Sequence, residues 1–216
     1  MKASNRVNQL FSAHKFKPSD FHDIDWAQME LLLNVFPQST FDSLKAKFND
    51  EVDQHVKFYS LLAEIRFARC ISSIASNTTF VLRQSVPTPD IRTTIARQFV
   101  EFEVSRLVPE KAFVTTTPLP QIISAFRLKV QDELKQLALP VSAVVVVPER
   151  NWSVENTYKW ILPEVSKALS GFASVPCVII HLQYIRPSPG WILVNPTATN
   201  QMPNGVSAAL MSLGFV

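Results

Sequence analysis

The segment VSAVVVVP, residues 141–148, constrains the fold of this chain more than any other. It is a continuous apolar run bounded by prolines. A strand wetted on one face alternates apolar and polar residues, so an unbroken run needs cover on both faces. The neighbouring segments supply that cover. LPQIISAFRLKVQDELKQLAL is amphipathic over about 119–138, with Pro120 in its first turn. SVENTYKWILPEVSKALSG reads as a helix opened by Ser153, kinked or restarted at Pro163 and ended by Gly171. PCVIIHLQYI and GWILVNP read as two further strands.

Upstream, a long helix is expected from Val52 to Ala75, with Val56, Tyr59, Ala63, Phe67, Cys70 and Ile74 at the three-four spacing of a buried face. TTFVLRQ (78–84), DIRTTI and QFVEFEVSRL read as three strands, the last two joined at Ala96-Arg97, which is weak turn chemistry. Helices are also expected over about 24–35, capped by Asp23 or Asp25, and over STFDSLKAKFND, whereas residues 1–19 look irregular. The tail NGVSAALMSLGFV reads as a short helix or as irregular chain. This order of elements predicts an α/β (α+β) fold, a central mixed sheet flanked by helices. Residues 1–50 form a helical extension packed on a domain spanning 51–216.

Composition narrows the chemistry. The 216 residues suit one domain with a sizeable core. Four glycines against fifteen prolines argue against glycine-rich phosphate loops, and no Walker loop or Gly-x-Ser-x-Gly elbow occurs. A net charge of +3 permits a nucleic acid partner without demanding one. Cys70 and Cys177 fall in apolar runs and read as buried thiols, with no zinc-type spacing. No uninterrupted apolar run reaches the roughly 18 residues of a membrane span, so no membrane partner is expected. The N-terminal stretch lacks the apolar centre of a signal peptide, and a cytoplasmic location is the default expectation.

Four carboxylates carry the candidate chemistry. On the long helix, Glu64 lies roughly 140–200° from Arg66, Arg69 and Ser73 at 100° per residue, so it points toward the protein body. A buried glutamate needs a partner or a cation. Glu101 and Glu103 share one face of their strand, about 6–7 Å apart, while Val100, Phe102 and Val104 face the core. Asp90, in Pro89-Asp90, begins the preceding strand and converges on the same end if the hairpin pairs. Hard oxygen ligands from two strands and a helix suit Mg²⁺ or Mn²⁺ acting on a phosphodiester. A second reading places Glu101 and Glu103 on the solvent face of an edge strand, paired with Arg92, Arg97 or Arg106. The run DFHDID resembles a ligand cluster, but helix capping accounts for it.

Together these residues resemble the PD-(D/E)xK phosphodiesterase superfamily, the restriction-endonuclease-like fold, over about residues 52–148. Glu64 in LLAEIRFARCI matches that family's helix glutamate. Pro89-Asp90 matches its Pro-Asp, and Glu101 or Glu103 its third-strand acid. The resemblance implies a metal-dependent nuclease or a degenerate relative of one, with Asp90, Glu101, Glu103 and Glu64 as catalytic and metal-holding residues. Mg²⁺ or Mn²⁺ is the implied cofactor, and DNA and a second copy of the chain are the implied partners. The alternative is an inactive domain of the same architecture that binds nucleic acid or protein. The chain departs from the pattern at the lysine two residues after the strand acid, where Glu103 or Ser105 stands. Lys129, on the next helix, is a candidate substitute.

Overall fold

The computed structural model describes residues 5–109, 117–137, 140–149, 158–182 and 190–216. Four helices come first: α1 (Arg6–Phe11), α2 (Trp26–Asn34), α3 (Gln38–Glu51) and α4 (His55–Ile71), with a 3₁₀ turn at Pro18–Asp20. A meander follows, β1 (Ala75–Phe80), β2 (Ile91–Ile95) and β3 (Gln98–Leu107). Then come α5 (Leu119–Gln136), β4 (Ala143–Pro148), α6 (Tyr158–Leu169), β5 (Cys177–His181), β6 (Gly190–Val194) and α7 (Asn204–Ser212). The six strands form one mixed sheet in chain order. β1, β2 and β3 pair antiparallel, β3, β4 and β5 parallel, and β5 with β6 antiparallel. The expected α/β fold, a mixed sheet flanked by helices, is the fold observed. No helix among the described residues is long and apolar enough to cross a membrane.

β4 explains its own sequence. Ala143, Val145 and Val147 join an apolar core shared with α1–α4 and α7, while Val144 and Val146 join a second core with α5 and α6. All six β4 residues are buried. Residues of α1–α3, among them Leu10, Leu33, Phe41, Leu44 and Phe48, belong to the same core as α4 and the sheet. α3 also covers the outer strand: Thr40 Oγ1 donates to Thr78 O at 2.7 Å, and Phe80 N donates to Ser43 Oγ at 3.1 Å. This cover satisfies backbone groups that an edge strand would otherwise expose.

Several local expectations are corrected. Within the stretch expected to be irregular, Arg6–Phe11 forms α1, capped by Asn5, which accepts from Asn8 N; residues 1–4 lie outside the described residues. Of the two caps expected for α2, Asp25 is the one used, taking the N–H groups of Ala27 and Gln28. α4 buries Phe58, Leu61 to Ile65, Phe67 and Ala68, nearly its whole circumference, because it lies between the α1–α3 layer and the sheet. Val56, expected on the buried face, is exposed. The first strand is 75–80 rather than 78–84; Asn77 takes a positive φ of 53° and the β1–β2 register shifts between Ser76 and Thr79. α6 continues through Pro163. Ser153, the expected opener of that helix, lies outside the described residues.

The β2–β3 turn has two residues, with Ile95 opposite Gln98 and φ of 49° at Ala96 and 63° at Arg97. Such turns favour Asn-Gly because side chains resist positive φ. Arg97→Gly should therefore raise stability by about 0.5–1 kcal/mol, read as a higher urea midpoint with an unchanged slope.

Candidate functional site

β2 begins one residue after Asp90, whereas β3 runs on to Leu107. The first β2–β3 pair is Ile91 with Phe102, and Asp90 N donates to Phe102 O. Beyond it β3 has no β2 residue beside it, and Asp90 Oδ2 accepts the next strand amide, Val104 N–H, at 2.9 Å. Residues 83–88, between β1 and β2, line a cleft of about 500 Å³ there. Glu64, Asp90 and Glu103 border it, with Arg83 and Thr88 on one wall and Glu133 and Gln136 of α5 on another.

The floor is fastened by a residue that the sequence reading did not single out. Lys47 of α3 places Nζ 2.8 Å from Glu64 Oε2 and 2.8 Å from Asp90 Oδ1. Its side chain is 1% exposed, and those of Glu64 and Asp90 are 7% and 8%. Burial works against the Lys47 ammonium, but the two carboxylates outweigh it and raise its pKa above the ordinary lysine value. One ammonium cannot fully offset two carboxylates. Burial, and then Asp90, raise the Glu64 pKa well above the ordinary glutamate range, against the pull of Lys47. Glu64 Oε2 meets Lys47 at ion-pair distance yet accepts no aligned hydrogen bond among the described residues. A buried carboxylate oxygen held by an ion pair without an aligned hydrogen bond is uncommon.

The two strand glutamates part company. Glu103 lines the cleft, and burial, followed by repulsion from Asp90, pushes its pKa up to about 7. Glu101 does not reach the cleft. Its Oε1 accepts from Arg92 Nε at 2.8 Å across the hairpin, as the register pairing Arg92 with Glu101 requires. The structure thus sets Glu101 apart from Glu64, Asp90 and Glu103, in the pairing with Arg92 that the second reading allowed. Lys129 is not among the cleft residues either. Ser105, two residues after Glu103, does line the cleft.

Two arginines, Arg83 and Arg106, line the cleft. Arg106 pairs with Glu149 and lies over the Tyr59 ring, 5.2 Å from its centroid. Arg83 is 76% exposed and loosely paired with Glu51 at 3.7 Å. Asp23 and Asp25 are engaged with Tyr59 and the α2 cap, so DFHDID forms no ligand cluster.

Among the described residues no group of three or more His, Cys, Asp or Glu side chains is arranged to hold a metal ion. Four acids line the cleft, Glu64, Asp90, Glu103 and Glu133, and Lys47 pairs with the first two. No protein-family model matches the chain, and no curated protein or solved structure matches it.

Two outcomes follow from this electrostatic arrangement. Lys47→Met leaves two buried carboxylates unopposed and should cost about 3–5 kcal/mol in denaturant unfolding; adding Glu64→Gln should recover part of the loss. Glu103 titrates near 7 in the folded chain and in the ordinary range when unfolded. Between those values the folded state binds the extra proton, so this group's contribution falls as pH rises from about 4.5 to about 7 and then levels off. Glu103→Gln should accordingly raise Tm at pH 8 and leave it nearly unchanged at pH 4, as read by thermal melts at both pH values.

Proposed function

We propose that this protein is a metal-dependent phosphodiesterase acting on DNA, related to the PD-(D/E)xK superfamily. The observation that carries the reading is the Lys47 ammonium, 2.8 Å from both Glu64 and Asp90 at the base of an acidic cleft. A lysine charge is thereby present beside the Pro-Asp acid, brought by α3 rather than by the strand position that Ser105 fills. The order helix, antiparallel meander, helix and parallel strand over α4–β4 also supports it.

Hydrolysis joins a water oxygen to phosphorus and breaks one P–O bond, and the departing sugar oxygen takes up a proton. Asp90 and Glu103 are the residues that would hold Mg²⁺ or Mn²⁺, which supplies positive charge to the scissile phosphate. Lys47 stays protonated, so it accepts no proton. It fixes the orientation of Asp90 and adds a preorganised positive charge in a water-poor setting. Val104 N–H fixes the other oxygen of Asp90. Arg83 and Arg106 stand where they can contact flanking phosphates.

One observation favours a second reading, an inactive nucleic-acid- or protein-binding module. Lys47 already provides a cation to Glu64 and Asp90, and no third metal-ligand side chain joins Asp90 and Glu103 among the described residues. The deciding experiment incubates the protein with supercoiled plasmid and with single-stranded circular DNA, in Mg²⁺, in Mn²⁺ and in EDTA. Metal-dependent strand scission should fall by about 10²-fold or more in Asp90→Ala. Equal scission by wild type and Asp90→Ala would overturn the phosphodiesterase reading.

A further inference from the structure

We propose that the cleft takes a single unpaired polynucleotide strand and excludes duplex. This rests on the phosphodiesterase reading and names the substrate class of that same site.

The first argument is depth. The Glu64 and Asp90 carboxyl groups are less than one-tenth exposed, so a phosphate crossing only the mouth of the cleft stays out of their reach. The backbone of the substrate has to enter. The second is size. A space of about 500 Å³ is on the scale of a site for one small molecule, here one nucleotide with its phosphates. A duplex, with grooves of about 12 and 6 Å between paired strands, does not enter such a space without separating.

The third argument is that the walls are held. The segment from Arg83 to Thr88 leads into Pro89-Asp90, and Pro87 and Pro89 restrict its backbone. Its start is tied down by Arg83 N donating to Glu51 Oε1 at 2.8 Å, and its base by Val81 N donating to Asp90 O at 2.9 Å. The facing wall is the last turn of α5, a packed helix whose Val130 and Leu134 are buried in the second core.

Charge gives the fourth. Glu133 on the α5 wall, with Asp90 and Glu103 below, meets any second phosphate backbone with repulsion. Arg83 provides a cationic contact at one wall for a single strand, and Arg106, whose charge is shared with Glu149, lines the cleft beside it. Arg106 is held in place by Glu149 and the Tyr59 ring, whereas Arg83 is free to follow the substrate from an exposed position.

The test is fluorescence anisotropy with the full chain in Ca²⁺, using a 5′-labelled unstructured 12-mer and the same sequence closed as a blunt hairpin duplex. The single strand should bind at least about tenfold more tightly, and Arg83→Ala should reduce its salt slope by about 0.7. Equal or tighter binding of the duplex overturns the proposal, and so does failure of both probes to bind. Scission of duplex interior and single strand at equal rates also overturns it, while leaving the phosphodiesterase reading standing. Single-strand preference without scission upholds the substrate class and removes the catalytic reading instead.

Discussion

The Lys47 ammonium joins three layers of this protein. It is carried by α3, it meets Glu64 on α4, and it meets Asp90 at the start of β2. Taking a lysine and two carboxyl groups out of water costs more than their mutual attraction returns unless the geometry is tight, and well-packed apolar residues of similar volume would often serve stability as well or better. What the triad supplies is position. Apolar contacts tolerate a small slide of one helix over another, whereas two 2.8 Å contacts to a single nitrogen do not. Asp90 is held from both sides, by Lys47 at one oxygen and by Val104 N–H at the other.

α3 holds this place for a second reason. It covers β1, and through Thr40 and Ser43 it bonds to backbone groups of that outer strand. The residues that face inward along it are Thr40, Phe41, Leu44, Lys47 and Phe48, one continuous stripe. The contacts that protect the edge of the sheet therefore also set the height at which Lys47 enters the interior. The opposite edge is covered more simply: Ile192 N donates to Val216 O, and Val216 N donates to Gly190 O, so the chain around Val216 lies beside β6.

Much of this architecture is written in local pattern. The proline-bounded run at 141–148 has to be covered on both faces, and it is. The angular position of Glu64 relative to Arg66 and Arg69 places it inward, and it is buried. The site was harder to read for two physical reasons. First, Lys47 lies three residues after Leu44 and one before Phe48, on the apolar stripe of its helix. A lysine there is itself a signal that a carboxylate waits inside, but helix and partner are far apart in sequence. Second, the two glutamates of β3 are equivalent by alternation and become distinct only through strand register. A two-residue turn at Ala96-Arg97 sets Arg92 opposite Glu101, and the next steps of that register align Asp90 with Glu103. The turn's own chemistry is weak, so register is imposed by the cores on either side of the sheet and not by the residues that make the bend.

The cleft's charges then limit what it can admit. Glu64, Asp90, Glu103 and Glu133 face one small space, opposed by Lys47 from the interior and by Arg83 and Arg106 at the walls. Lys47 is already committed to two of the acids, and Arg106 to Glu149. A bare phosphate approaching Asp90 and Glu103 meets like charge in a poorly hydrated setting, where screening by salt is weakest. A divalent cation reverses that sign, since it draws the two carboxylates and the phosphate to a common centre. Buried acids with one embedded lysine are thus poorly suited to binding an anion unaided. They suit an anion that arrives with its counter-ion, so the proposed phosphodiesterase would need a metal for binding as well as for turnover, as a consequence of the way α3, α4 and β2 meet.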